Sequence, residues 1–236
     1  LTIKKEKEAH LIKERLLLKH KQGYRNIQFP LHNTFKDIWK YKAKFDQIDF
    51  VAYIGPSCPV CGKHSCYRQI HEYYRYAIDL FPFQRQKVPI ARFWCKTRRC
   101  SFSYLPHQLI PYCQYTIGAV AGALILAYQC YRQGHKGYYG ASVQVDPNSL
   151  VTPFLIYRWA IMAQRGFNRA HHVLAKFYSL SSFGHGNEPM LKQVYLYIRY
   201  ISGKAPPNTM NIIDAGKIFS RKTNRFLFGI SSSERL

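Results

Sequence analysis

The chain has 236 residues, with 35 Lys and Arg against 12 Asp and Glu, a net charge of +23. Because 47% of its residues are hydrophobic, it is not a disordered polycation, and its length suits one or two modest domains. The charge is spread along the chain, and 58–110 carries the most, nine basic residues opposing two acidic ones. That favours phosphate backbones over a membrane surface, for which no isolated basic amphipathic anchor is present.

In chain order, residues 3–22 read as a helix, with Glu6, Glu8 and Glu14 toward its start and lysines thickening toward its end. Residues 24–50 read as loop, a short helix around 34–42, and a strand continuing through VAYI (51–54) into a cysteine turn. Alternating stretches follow at 67–81, 87–94 and 101–105, and Pro106 and Pro111 stop the sheet. From Tyr112 the period changes from two to 3.6. Ile117, Val120, Ala121, Leu124 and Tyr128 form one stripe of a buried helix that ends at Gly134 and Gly137. The apolar run Ile117–Tyr131 is shorter than the roughly 20 residues of a membrane span. A short helix is expected at 138–148. Thr152-Pro153 then opens a helix through Gln164 that Gly166 ends, and Asn168 caps another at 169–180. The run at 190–201 fits helix or strand, and 217–236 reads as a mobile tail with a basic core, KIFSRKTNR.

Cysteine carries the most specific signal. Cys58-Pro-Val-Cys61 is followed by Gly62, and Cys95 and Cys100 stand in RFWCKTRRC. Seven cysteines, an odd number, argue against a disulfide framework and for metal in a reducing compartment. No secretory leader is read at the start, so the expected location is cytoplasmic, with nucleoid association. Cys58, Cys61, Cys95 and Cys100 are the expected ligands of one Zn²⁺ in a closed tetrahedral shell. Cys66, His64 and His71 are rivals for the fourth place.

Cys58-Pro-Val-Cys61, Arg92-Phe-Trp-Cys95, Cys100-Ser-Phe-Ser-Tyr-Leu-Pro106 and Tyr112 together resemble the N-terminal module of bacterial transposase-like proteins. There a cysteine ribbon precedes a helix-turn-helix. The resemblance covers roughly residues 54–165 and implies a mobile-element DNA-binding module. The expected fold is α+β: a small zinc ribbon of antiparallel strands fused to a mostly helical, helix-turn-helix half. Its expected parts are 1–50 (N-terminal helix and extension), 51–110 (ribbon), 111–182 (helix-turn-helix domain) and 183–236 (C-terminal helix and basic tail).

Catalysis is not expected. Residues 112–236 hold four carboxylates, Asp146, Glu188, Asp214 and Glu234, which do not make a two-metal nuclease site. No phosphate-binding glycine loop or HExxH is present. Arg169, His171 and His172 only imitate a recombinase cluster. Duplex DNA is the expected partner, with any chemistry left to a separate recombinase or nuclease subunit. The helix from Thr152 would read bases through Arg158, with Tyr157, Gln164 and Arg165 beside it, while Ser149 and Thr152 would bind phosphate. Lys87, Arg92, Lys96, Arg98 and Arg99 would supply backbone contacts from the ribbon. The alternatives are a protein-interaction module and an RNA-binding protein stacking bases on Tyr73-Tyr74-Arg75-Tyr76.

Overall fold

Strand β1 (Asn26–Leu31), β2 (Tyr67–Leu80), β3 (Phe83–Cys95) and β4 (Cys100–Pro106) form one sheet in the order β1-β4-β3-β2. These come from a computed structural model that describes residues 26–32, 37–145, 150–180, 188–203 and 209–229. The expected helix at 3–22 lies outside them. With helices α1 (Ile38–Ala43), α2 (Phe50–Ile54), α3 (Ile117–Arg132), α4 (Gly137–Val145), α5 (Pro153–Leu174), α6 (Met190–Ser202) and α7 (Thr209–Thr223), the fold is α+β. No described helix is long and apolar enough to cross a membrane.

The chain divides into two compact units. The first gathers 49–71 and 91–103 with the start of β1, and the second takes the remaining described residues. The expected ribbon, 51–110, is therefore shared between the units rather than standing as one. Two local readings also change. Residues 26–31 form a strand instead of a loop, with Pro30 tolerated because β1 is a sheet edge. Residues 51–54 form a helical turn instead of a strand. Asp49 caps it by accepting from the Ala52 N–H at 2.9 Å, and Gly55, at φ 75°, ends it.

The first unit is built around aromatic rings. Phe93 stacks on Phe102 at 5.3 Å, Tyr67 meets both rings edge-on, and Phe50 covers Phe93. The pleat explains this: Phe93 and Phe102 are cross-strand partners, as are Cys95 and Cys100 at the end of the hairpin.

The second unit has one core, formed by α3 and the helices around it. Thr116 caps α3 through the Ala119 N–H and donates to the Asp79 carboxylate at 2.6 Å. A Cβ at Gly137 would lie 2.7 Å from the Ala127 carbonyl, so glycine there permits the close packing of α4 on α3. Gly166 does not end α5. The helix continues to Leu174, and the missing Cβ at Gly166 makes room for the Leu227 carbonyl. Arg169 holds that segment by donating to the carbonyls of Phe226, Leu227 and Gly229. Phe228 is buried edge-on to Phe167, which also stacks on Tyr197. Residues 209–229 are thus a packed helix and a buried apolar segment, not a tail. The ambiguous 190–201 run is helical, burying Leu191, Val194, Tyr197, Ile198 and Ile201 at helical spacing.

His107, at the end of β4, is only 3% exposed, and its Nδ1 has no hydrogen-bond partner. Burial pushes its pKa down to about 4, helped by Lys217, Arg221 and His32. The folded state therefore prefers neutral imidazole, while the unfolded chain takes up a proton near pH 6.5. Its contribution is full above pH 6.5 and is lost as pH falls toward 4, by roughly 3 kcal/mol at most. Urea unfolding of the wild type and His107→Phe across pH 4–7 checks this, and the variant should show the shallower acid dependence.

Candidate metal centre and nucleic-acid interface

The cysteine site grows out of a short turn. Cys58 N–H donates to the Lys63 carbonyl at 3.0 Å, and Gly62 N–H donates to the Cys58 carbonyl at 2.8 Å, with Gly62 at φ 74°. Ser65 N–H donates back to Pro56, which turns the chain so that Cys66 enters β2 facing the same space. Across the sheet, Lys96 N–H donates to the Cys66 carbonyl, seating Cys66 beside Cys95.

The outcome is a group of four sulfurs, Cys58, Cys61, Cys66 and Cys95, all within 4.8 Å of one another. Cys61 and Cys66 are 3.0 Å apart and Cys66 and Cys95 are 3.7 Å apart, too far for a disulfide. A sulfur tetrahedron around zinc, with Zn–S near 2.3 Å, has edges of about 3.8 Å. The group therefore has the donor chemistry and size for a metal ion. The fourth position belongs to Cys66 and not to the expected Cys100, which sits at the start of β4 opposite Cys95 and outside the group. His64 bridges to Ser57, and His71 is exposed on β2; neither joins it.

Burial raises the Cys58 and Cys95 thiols above their ordinary range, while the hydrogen bond from Cys66 lowers Cys61. A metal ion bound there would have to displace the protons that burial holds on Cys58 and Cys95, which makes binding pH-dependent. Arg98 N–H donates to Cys95 Sγ at 3.3 Å, the outer-shell bond expected of a cysteine turn.

The basic residues take varied positions. Lys96, Arg98 and Arg99 are exposed on the β3–β4 turn, with Arg99 at φ 51°. Arg92 donates to Ser101 Oγ at 3.2 Å. Lys87 is exposed beside the Tyr76 ring, which Arg85 covers at 4.1 Å. Thr152 caps α5 through the Leu155 N–H, so its hydroxyl is already engaged. Tyr157, Arg158 and Arg165 are exposed on α5, and Arg158 lies 6.0 Å over Phe154. Gln164 is tied to Gln193 on α6 at 2.8 Å. Ser149 lies outside the described residues.

Other sequence candidates are occupied. Arg169 holds the C-terminal segment and His171 bonds the Tyr197 hydroxyl, so these two are engaged in packing, while His172 is exposed. Arg75 turns inward to the carbonyls of Ile110 and Cys113. Only Tyr74 of the tyrosine run is widely exposed. Sequence reading passed over Arg68 and Trp94, which line a concavity with Arg92. The alternation of Arg92 and Trp94 against Phe93 and Cys95 carried that signal.

No protein-family profile matches this chain, and neither a curated protein nor a solved structure matches it.

Proposed function

We propose that the chain is a zinc-stabilised, non-catalytic protein that recognises double-stranded DNA. In this reading α5 is the reading helix of a helix-turn-helix, and the β3–β4 turn contacts phosphate. The carrying observation is the outward stripe of α5. Arg158, Arg165 and His172 are exposed at seven-residue spacing, and no carboxylate stands anywhere on that helix. Twenty-two residues make a rod about 33 Å long, and a helix fits the major groove, where arginine pairs with guanine. Zinc suits the four-cysteine group because thiolates fill its shell and leave no open position for chemistry. Among the described residues, the metal-capable group is made of cysteines and holds no carboxylate, and in this reading bond cleavage is left to a separate recombinase or nuclease.

Selection from a random duplex library tests the reading. An enriched site is expected, on which Arg158→Ala costs about 1–3 kcal/mol and much less on random DNA. Removing Lys96, Arg98 or Arg99 should weaken all duplexes alike and flatten the log–log salt slope by about 0.9 each. Failure of zinc-loaded protein to bind any duplex overturns the proposal.

A further inference from the structure

In the cysteine-bearing unit, Arg92 and Trp94 lie on the side of β3 opposite Phe93 and Cys95. Arg68 and Ile70 are two apart on β2, and Arg92 and Trp94 are two apart on β3. The pleat therefore puts all four on one side, where they line a concavity of about 290 Å³. On β4 their cross-strand neighbours are Ser101, opposite Trp94, and Ser103, opposite Arg92. Both hydroxyls donate to the Asn26 side chain, at 3.3 and 3.0 Å. Arg92 is fixed by its bond to Ser101, and its buried Nε has no hydrogen-bond partner in the protein.

The charge around this concavity is one-sided. The described residues of the unit hold six cationic side chains, Lys63, Arg68, Arg92, Lys96, Arg98 and Arg99. Their one acid, Asp49, is engaged in capping α2. An indole lining one concavity with two arginines, and no carboxylate among the described lining residues, suits a flat ring that carries phosphates. A paired base inside a duplex does not offer its face to such a floor, whereas an unpaired base does.

The geometry points to a single-strand subsite: one unpaired nucleotide stacks on Trp94, with Arg68 and Arg92 on its flanking phosphates. The inference rests on the nucleic-acid part of the proposed function but not on the duplex-reading helix. The protein would then favour DNA in which a duplex gives way to a single strand.

The test uses full-length, zinc-loaded protein and a dodecamer of thymidine, followed by tryptophan fluorescence. Of the three tryptophans, Trp159 is buried at 3% exposure, while Trp39, on α1, and Trp94 are both partly exposed, so the quench is assigned to Trp94 by its loss in Trp94→Phe. The dodecamer should quench, and Trp94→Ala should bind it about tenfold more weakly. Trp94→Phe should keep most of the affinity and lose the quench, which separates stacking from misfolding. Arg68→Ala should lower the salt slope by about 0.7. A dodecamer of abasic sites, with the same phosphates, should bind more weakly and leave the fluorescence unchanged. Equal binding of abasic and thymidine strands, or unchanged affinity in Trp94→Ala, overturns the inference. A uridine dodecamer run alongside shows whether RNA can be the source of the base. A blunt duplex separates the two readings. Duplex binding without strand binding sinks this inference and leaves the proposed function. Strand binding without duplex binding does the reverse.

Discussion

Cys66→Ser is expected to strip the metal from the protein, while Cys100→Ser is expected to keep it. The two cysteines are alike in sequence terms, since each offers a fourth thiol near an incomplete set. They differ in place: Cys66 shares the sulfur group with Cys58, Cys61 and Cys95, and Cys100 does not. Structural zinc in small domains contributes about 10–16 kcal/mol of apparent binding free energy, so an even share among four ligands is roughly 2.5–4 kcal/mol each. Losing one should also loosen Tyr67, which follows Cys66 directly, and Phe93, which shares β3 with Cys95, together with the Phe102 ring that packs on both. Metal analysis, with near-ultraviolet dichroism for the ring packing, reads both effects. Full zinc in Cys66→Ser, or its loss from Cys100→Ser alone, would contradict the assignment.

Gly166→Val should be strongly destabilising. A side chain there drives into the Leu227 carbonyl and the Phe228 ring. Relief requires either a displaced C-terminal segment, which breaks the Arg169 bonds, or a bent α5. Overpacking of this kind costs about 1–3 kcal/mol, and uncovering Phe228 adds more. A loss of about 3 kcal/mol or greater corresponds to a fall in melting temperature of roughly 6–12 °C at this chain length. A thermal melt checks it. A variant melting within a degree of wild type would mean the segment is not seated as described.

The regular elements were legible where one signal dominated. Alternation located β2, β3 and β4, and the Ala/Gly-rich stripe located α3. Errors fell where a local signal competed with a distant partner. Gly166 carried the mark of a helix stop, yet its value is the gap it leaves for a segment 61 residues later in the chain. KIFSRKTNR looked solvated by composition. Phe219, Phe226, Leu227 and Phe228 are nevertheless buried, and their cover comes from helices far away in sequence. At the site, CxxC spacing gave Cys58 and Cys61, but the choice between Cys66 and Cys100 was a tertiary matter. It depends on the backbone bond from Lys96 to Cys66, which no spacing rule contains. Arg68 and Trp94 were passed over because charge was counted by sequence block, whereas the pleat sorts it by face.

The placement of the sulfurs also sets an order of events during synthesis. Cys58, Cys61 and Cys66 fall within nine consecutive residues, and Cys95 arrives 29 residues after Cys66. At about 5–20 residues per second, the ribosome delivers the trio roughly 1.5–6 s before the fourth thiol. A cation on the proposed site can be held by three ligands while β3 is still unmade. The late-arriving strand then closes a loop whose entropic cost is about 3 kcal/mol, against an ion already in place. The hairpin would be drawn shut from its open end by the cation, leaving the β2–β3 turn to form without nucleating the sheet.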